Sequence, residues 1–548
     1  MSASSPRIDI NSENRIKEEA ILEDLLGKRT LDFQAANRFD PVARLWFWLG
    51  PLLITLVAGL ARFIRLGTPN SLVFDETYYV KGAWSFLKFG YEVDWTADPN
   101  AAFEAGDPTQ FITTGDYVVH PPIGKLMIAL GIGIGGQENA WAWRLTSAVL
   151  GTLAVLLVIL CARKIFASNV FALIAGGLMA IDGVAIVHSR TALLDGVLMF
   201  WVLAAFYFIL LDREQARRRL ARALASTYDS VTKYGPYGPR LGFRWWRLAA
   251  AVSLGLACGT KWSAVYFVIV FGLLSVAWDL SARRKAGIQR WVLGGLLRDG
   301  LPAFLWWLLV LPVVYLASWL PWFTHKESWG RNWAELNPST SWDWVPGFLD
   351  PVVNSLRSFW AYHAQMLDFH SGLSTPHSYQ ANPWGWMLQL RPTAFYWDNP
   401  QGPGANCSVS SCASAVTSIG NPFIWWLATA ALLVALFFWL VKFDWRASAV
   451  LSGVIAGWVP WLFFTERTIF QFYTIVFAPW MYLALAYALW LLWEKLKHGK
   501  HSALATKISI TALLGVLLAF SVYFYPLWSA IVVPYDFWHA HMWFDNWI

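Results

Sequence analysis

The chain has 548 residues, 57% of them hydrophobic and only 14% charged, with a formal net charge of +7. Globular proteins carry roughly a quarter charged residues, and here the deficit falls in repeated apolar runs of bilayer-crossing length, about 20 residues each. That excludes a soluble enzyme, a disordered chain and an outer-membrane barrel, and the excess of base belongs to loops rather than to nucleic-acid binding.

Residues 1–45 hold seven basic and eight acidic side chains and a weak amphipathic stretch from Ile16 to Leu26, closed by Gly27. They read as a cytoplasmic tail suited to a membrane surface. The first span is predicted at 46–65. A polar segment follows to about residue 140, interrupted by the Leu126–Gly136 patch, which is too short to cross and suits an interfacial or re-entrant helix. Further spans fall near 143–161, 169–187, 191–211, 247–260, 261–279, 301–320, 422–441, 447–464, 468–491 and 508–529. The fold class is therefore all-α, a polytopic integral membrane protein of about eleven spans.

Loop charge orients it. Segments 212–247, 281–298 and 494–507 carry nine, five and four Lys/Arg and belong in the cytoplasm. Segment 66–140 has three Lys/Arg against nine acids and 321–420 has four against six, so both face outward. The alternation closes only if 247–279 is a hairpin. The N-terminus is then cytoplasmic, and the 526–548 tail lies outside. No internal repeat or matched pair of broken helices is visible, which weakens a transporter reading.

The chemistry should sit in the outward loops, because lipid tolerates little irregular backbone. The first opens with Phe74-Asp75-Glu76-Thr77-Tyr78-Tyr79. Adjacent acids form either a solvated turn or, beside aromatics at a membrane face, a general base with a tuning neighbour. His120-Pro121-Pro122-Ile123-Gly124-Lys125 follows, read as a rigid corner with a snorkelling lysine or as a pair of groups near an anion. Four cationic sites break the positive-inside pattern: Arg144, Arg190 in His188-Ser189-Arg190, Lys261 in Gly259-Thr260-Lys261-Trp262, and Arg467 after Glu466. Together they suit a lipid phosphate. Asp195, about a turn beyond Arg190, needs Arg190 or Lys261 as partner; a structural ion pair and a substrate role both remain open.

The second outward loop holds His370, His377, Tyr379, Trp384 and Arg391. Such groups suit carbohydrate or peptide contacts, or equally interfacial packing. Cys407 and Cys412 are disulfide candidates on an outward face. No zinc-ligand spacing, nucleotide-binding glycine pattern or Asp-x-Asp pair occurs, which argues against a nucleotide donor. The 37 Trp suit interfacial belts or stacking on sugars.

These motifs resemble the protein O-mannosyltransferases, integral-membrane transferases of the GT-C class. The resemblance covers nearly everything beyond the N-terminal tail, leaving 46–548 as the transferase domain. Asp75-Glu76 looks like the family's acidic dipeptide, and His120 to Lys125 like its His-Pro-Pro motif. Arg144, His188-Ser189-Arg190 with Asp195, Gly259 to Trp262, and His377-Ser378-Tyr379 with Trp384 also match. The 321–420 loop is too short for the MIR domains of eukaryotic members, which implies a bacterial type in the plasma membrane with a polyprenyl-phosphate-mannose donor.

The resemblance implies that Asp75 takes the proton from a Ser or Thr hydroxyl of an exported polypeptide while Glu76 supports it. Arg144, Arg190 and Lys261, with His120 and Lys125, would face the lipid phosphate, and His377, Tyr379, Trp384 and Asp195 the acceptor or sugar. One displacement inverts the anomeric centre. The scheme requires no metal and no cofactor, and the secretion machinery is a further candidate partner. The alternatives are a related transferase acting on a glycan or lipid, and a transporter or flippase.

Overall fold

The computed structural model describes residues 10–226, 230–342, 344–401, 407 and 409–548. Among the described residues helices fall within the predicted spans, but they are unequal. Seven are long and apolar enough to cross a membrane: Pro41–Phe63, Ala140–Phe166, Leu194–Ala225, Ala264–Lys285, Trp291–Ser318, Pro422–Lys442 and Lys500–Trp528. An eighth is the pair Asn169–Ile181 and Gly183–Ser189, bent by 62°. Trp245–Cys258 and Trp445–Gly457 are short, with 14 and 13 residues. Ala478–Leu496 is buried along most of its length and forms the bundle's centre, as a helix that is apolar all round should.

Buried side chains satisfy backbone groups at the bend at Asp182. Asp182 caps Val184 and accepts from Trp425 Nε1, Tyr482 Oη and the Asn421 amide. The buried Arg62 donates to the carbonyls of Met179 and Ala180 at the broken end, satisfying the orphan groups that a helix terminus creates.

Residues 247–279 form a hairpin that breaks at 259–263. Its far ends are tied together, since Arg244 and Arg247 share Asp212 and Asp279, while Arg283 takes Asp299. The stretch from Ile16 to Leu26, expected on a membrane surface, lies in the helix Ile10–Leu26 and is docked on protein. Leu22, Leu25 and Leu26 pack on Leu220, Ala221 and Ala282.

The two large loops meet at the opposite end. The Tyr362 hydroxyl accepts from the Val118 amide and donates to its carbonyl, and the His370 ring bonds the Val119 carbonyl at 2.7 Å. Both loops add small antiparallel sheets to the helical fold, Val93–Trp95 with Phe111–Gly115 and Thr393–Asp398 with Cys412–Ser418; Val533–Pro534 pairs on the outer side of the latter strand. Cys407 and Cys412 are disulfide-bonded at the edge of that sheet. The apolar patch of the first loop is the 13-residue helix Ile123–Gly135.

Candidate active site

Phe74 places the first acid. Its φ of +49° lies in the left-handed region, strained for a bulky residue. An aromatic nest holds it there: Phe395 stacks at 5.0 Å, with Phe472, Phe470 and His377 edge-on. The next two residues open the helix Glu76–Phe89 with opposite fates.

Glu76 is fully buried and saturated. It accepts from Arg144 Nε and Nη2 at 2.9 and 2.8 Å, and from the amides of Ala192 and Val73 at 2.7 and 3.0 Å. It therefore ties the first loop to the helix Ala140–Phe166 and to the segment that leads into Asp195. Asp75 makes no capping bond. Among the described residues its carboxylate receives only the Tyr79 hydroxyl, at 3.5 Å. Burial pushes the Asp75 carboxyl up, Lys261 pulls it down and Asp195 pushes it up again, leaving it at about 6. A carboxylate of that basicity, with free lone pairs, suits a general base near neutral pH.

The cations divide in the same way. All five N–H groups of Arg144 are spent, two on Glu76 and three on the carbonyls of Leu66, Pro69 and Ser71. Arg190 donates to the carbonyls of Ala61, Arg62, Ile64 and Arg65, closing the C-terminal end of the first span, where a cation also meets the helix dipole. Lys125 lies between the oxygens of Glu92, at 2.5 and 2.7 Å. These three were expected at a lipid phosphate. Here their donors face protein, and none of the three is among the residues that line the cavity.

That cavity, of about 280 Å³, lies beneath the joined loops. Its polar groups include Lys261, Asp195, His120, His370, Arg467 and Tyr473, and the rest of its wall is largely apolar. Lys261 Nζ is 2.8 Å from Asp195 and 4.9 Å from the Tyr473 ring centre, so Lys261 rather than Arg190 is the partner of Asp195. Arg467 donates to the His370 carbonyl and to its Nδ1. Burial holds His370 down at about 4, and burial with the surrounding cations holds His120 well below the usual histidine range. The two rings stack at 5.2 Å, as neutral imidazoles allow.

The second-loop candidates scatter. His377 joins the Phe74 nest, Tyr379 lies under Arg391 at 5.4 Å, and Trp384 is 65% exposed against Trp458. None of the three lines the cavity. Tyr473 was not singled out from sequence, while Tyr79 and Trp262 appeared there only as neighbours of Asp75 and Lys261, without roles of their own. Arg467 and His370 were visible as an outward cation and a loop histidine, but nothing in the sequence joins them.

A helical membrane bundle with loop-borne acids above a mostly apolar, cation-marked cavity defines a membrane-embedded transferase of lipid-linked substrates. Residues 52–325 match the family model for dolichyl-phosphate-mannose-protein mannosyltransferase, and 355–547 match the C-terminal four-span region of protein O-mannosyltransferase. A polyprenol-phosphate-mannose–protein mannosyltransferase of Mycobacterium tuberculosis is 35% identical over 93% of both chains. A Corynebacterium glutamicum relative of the same name is 31% identical over 90% of this chain and 91% of its own. The fold matches the Saccharomyces cerevisiae Pmt1-Pmt2 complex bound to the sugar donor, with a TM-score of 0.65 at 15% identity, covering 91% of this chain and 92% of that one. The chain belongs to the protein O-mannosyltransferase family.

Proposed function

We propose that this protein transfers mannose from a polyprenyl-phosphate-mannose carrier to Ser or Thr hydroxyls of exported polypeptides. The observation that carries the reading is the Asp75 carboxylate, held near pH 6 with a single long hydrogen bond beside the Lys261–Asp195 pair. The carrier phosphate would meet Lys261 and Arg467, and its chain would lie along the apolar wall that includes Val265, Phe267 and Phe464. As the acceptor oxygen bonds to the anomeric carbon, the bond from that carbon to the phosphate oxygen breaks, and the acceptor proton passes to Asp75. The electron pair leaves on the phosphate, which fixed positive charge stabilises. Attack from the opposite face inverts the centre, so a β-linked donor gives an α-linked product.

In this reading 1–45 is a cytoplasmic tail, 46–548 the transferase domain, and the cavity and 526–548 face outward from the plasma membrane, where secretion delivers the acceptor. The test supplies membranes with labelled polyprenyl-phosphate-mannose and competing Thr-containing peptide and glycan acceptors. Label should appear on the peptide, removable by an α-specific mannosidase. Label confined to glycan or lipid would overturn the assignment.

A further inference from the structure

The helix Leu194–Ala225 carries Asp195 into the cavity and, eighteen residues on, Arg213 away from it. At about 1.5 Å per residue this is about 27 Å along the axis, close to the thickness of a hydrocarbon core. Arg213 is only 7% exposed, yet its Nε has no hydrogen-bond partner. Among the described residues no acid lies within ion-pair distance of its guanidinium. Instead the group stands 3.4 Å from the Trp445 ring centre and 5.5 Å from that of Trp278.

More positive charge surrounds it. Arg217 and Arg446 lie close enough to repel Arg213, and all three act on the exposed Lys285. The nearby acids are committed elsewhere. Glu214 is shared by Lys164, Arg218 and Gln34, and Asp444 takes Arg446, its own helix's first turn and the Tyr487 hydroxyl. Asp24 acts on Lys285. A buried guanidinium with no acid in ion-pair contact is costly, and an anion at this spot would relieve it.

We propose that Arg213, with Arg446 and Lys285, binds the phosphate of an anionic membrane lipid at the end of the bundle remote from the cavity. The half-buried Trp445 argues for a lipid over a free anion, since an indole favours headgroup depth and offers apolar surface to the glycerol and upper acyl carbons. Basic pockets between helices on the cytoplasmic side take acidic headgroups. The site is independent of the transfer chemistry.

The test places purified protein in nanodiscs of phosphatidylcholine with or without phosphatidylglycerol, and follows thermal unfolding and lipid retention by native mass spectrometry. Phosphatidylglycerol should raise the unfolding midpoint and remain bound at about one per chain. Arg213→Met should abolish the shift and cut retention about tenfold, and Lys285→Gln, at an exposed position, should weaken retention about fivefold. Inorganic phosphate added to phosphatidylcholine discs should give no comparable shift; an equal shift would assign a soluble anion and overturn the lipid site. Undiminished phosphatidylglycerol retention in Lys285→Gln and Arg213→Met would also overturn it. If Arg213→Met does not fold, equal retention in wild type and Lys285→Gln is decisive against it.

Discussion

The clasp at the hairpin's far ends and the site beneath the loops use charge in opposite ways. Away from the cavity, Asp212, Asp279 and Asp299 face Arg244, Arg247 and Arg283 in a six-residue clasp that ties the hairpin's far ends to two neighbouring helices. Beneath the loops, Asp75 has one long hydrogen bond, and the Lys261–Asp195 pair borders an open cavity. Charge completed within the protein holds helices together, whereas charge left incomplete is available to a substrate. The contrast recurs between neighbours, with Glu76 saturated and Asp75 nearly bare.

Substitutions should break this division unequally. Asp75→Asn should have the largest effect, lowering transfer by about 10³- to 10⁴-fold with the fold and donor binding retained; radiolabel transfer and a donor-binding assay on the same preparation check both. Arg144→Met strands the buried Glu76 and should act on stability instead, by about 3–5 kcal/mol. Thermal unfolding of the detergent-solubilised protein measures that loss, and an intact midpoint with altered donor affinity would return Arg144 to the phosphate. The double change Lys261→Met with Asp195→Asn removes the cavity pair without stranding a charge, and should cost about 10²-fold in turnover, read as initial rates at saturating donor. Tyr79→Phe should be mildest. Losing its hydrogen bond removes a group that lowers the Asp75 pKa, so the pH dependence of transfer should shift upward with a rate loss of a few fold.

Much of the scaffold was legible, because apolar runs and loop charge are local properties. The hairpin at 247–279 followed from charge alternation alone, and the clasp joining its ends supplies the structural reason. Asp75 was legible as a candidate through its aromatic neighbours. What separates it from Glu76 was not, because the partner of Glu76 is Arg144, sixty-eight residues away. Arg190 shows the same limit, since a cation at a membrane face looks the same in sequence whether it meets a phosphate or the carbonyls ending another helix. The tryptophan surplus resolves in part. Trp143, Trp319, Trp386, Trp425, Trp480 and Trp528 are fully buried, so packing takes up a part of what belts and sugars were offered to explain.

The central claim is that Asp75 is the base, with its pKa set by its surroundings. The direct test is the pH dependence of kcat/KM for a Thr-containing peptide in wild type and Asp75→Asn. A base must be ionised to act, so the wild-type rate should rise about tenfold per pH unit below about 6 and level off above it. The residual activity of Asp75→Asn should show no such bend. A wild-type profile flat through this range, or the same bend in Asp75→Asn, would contradict the account.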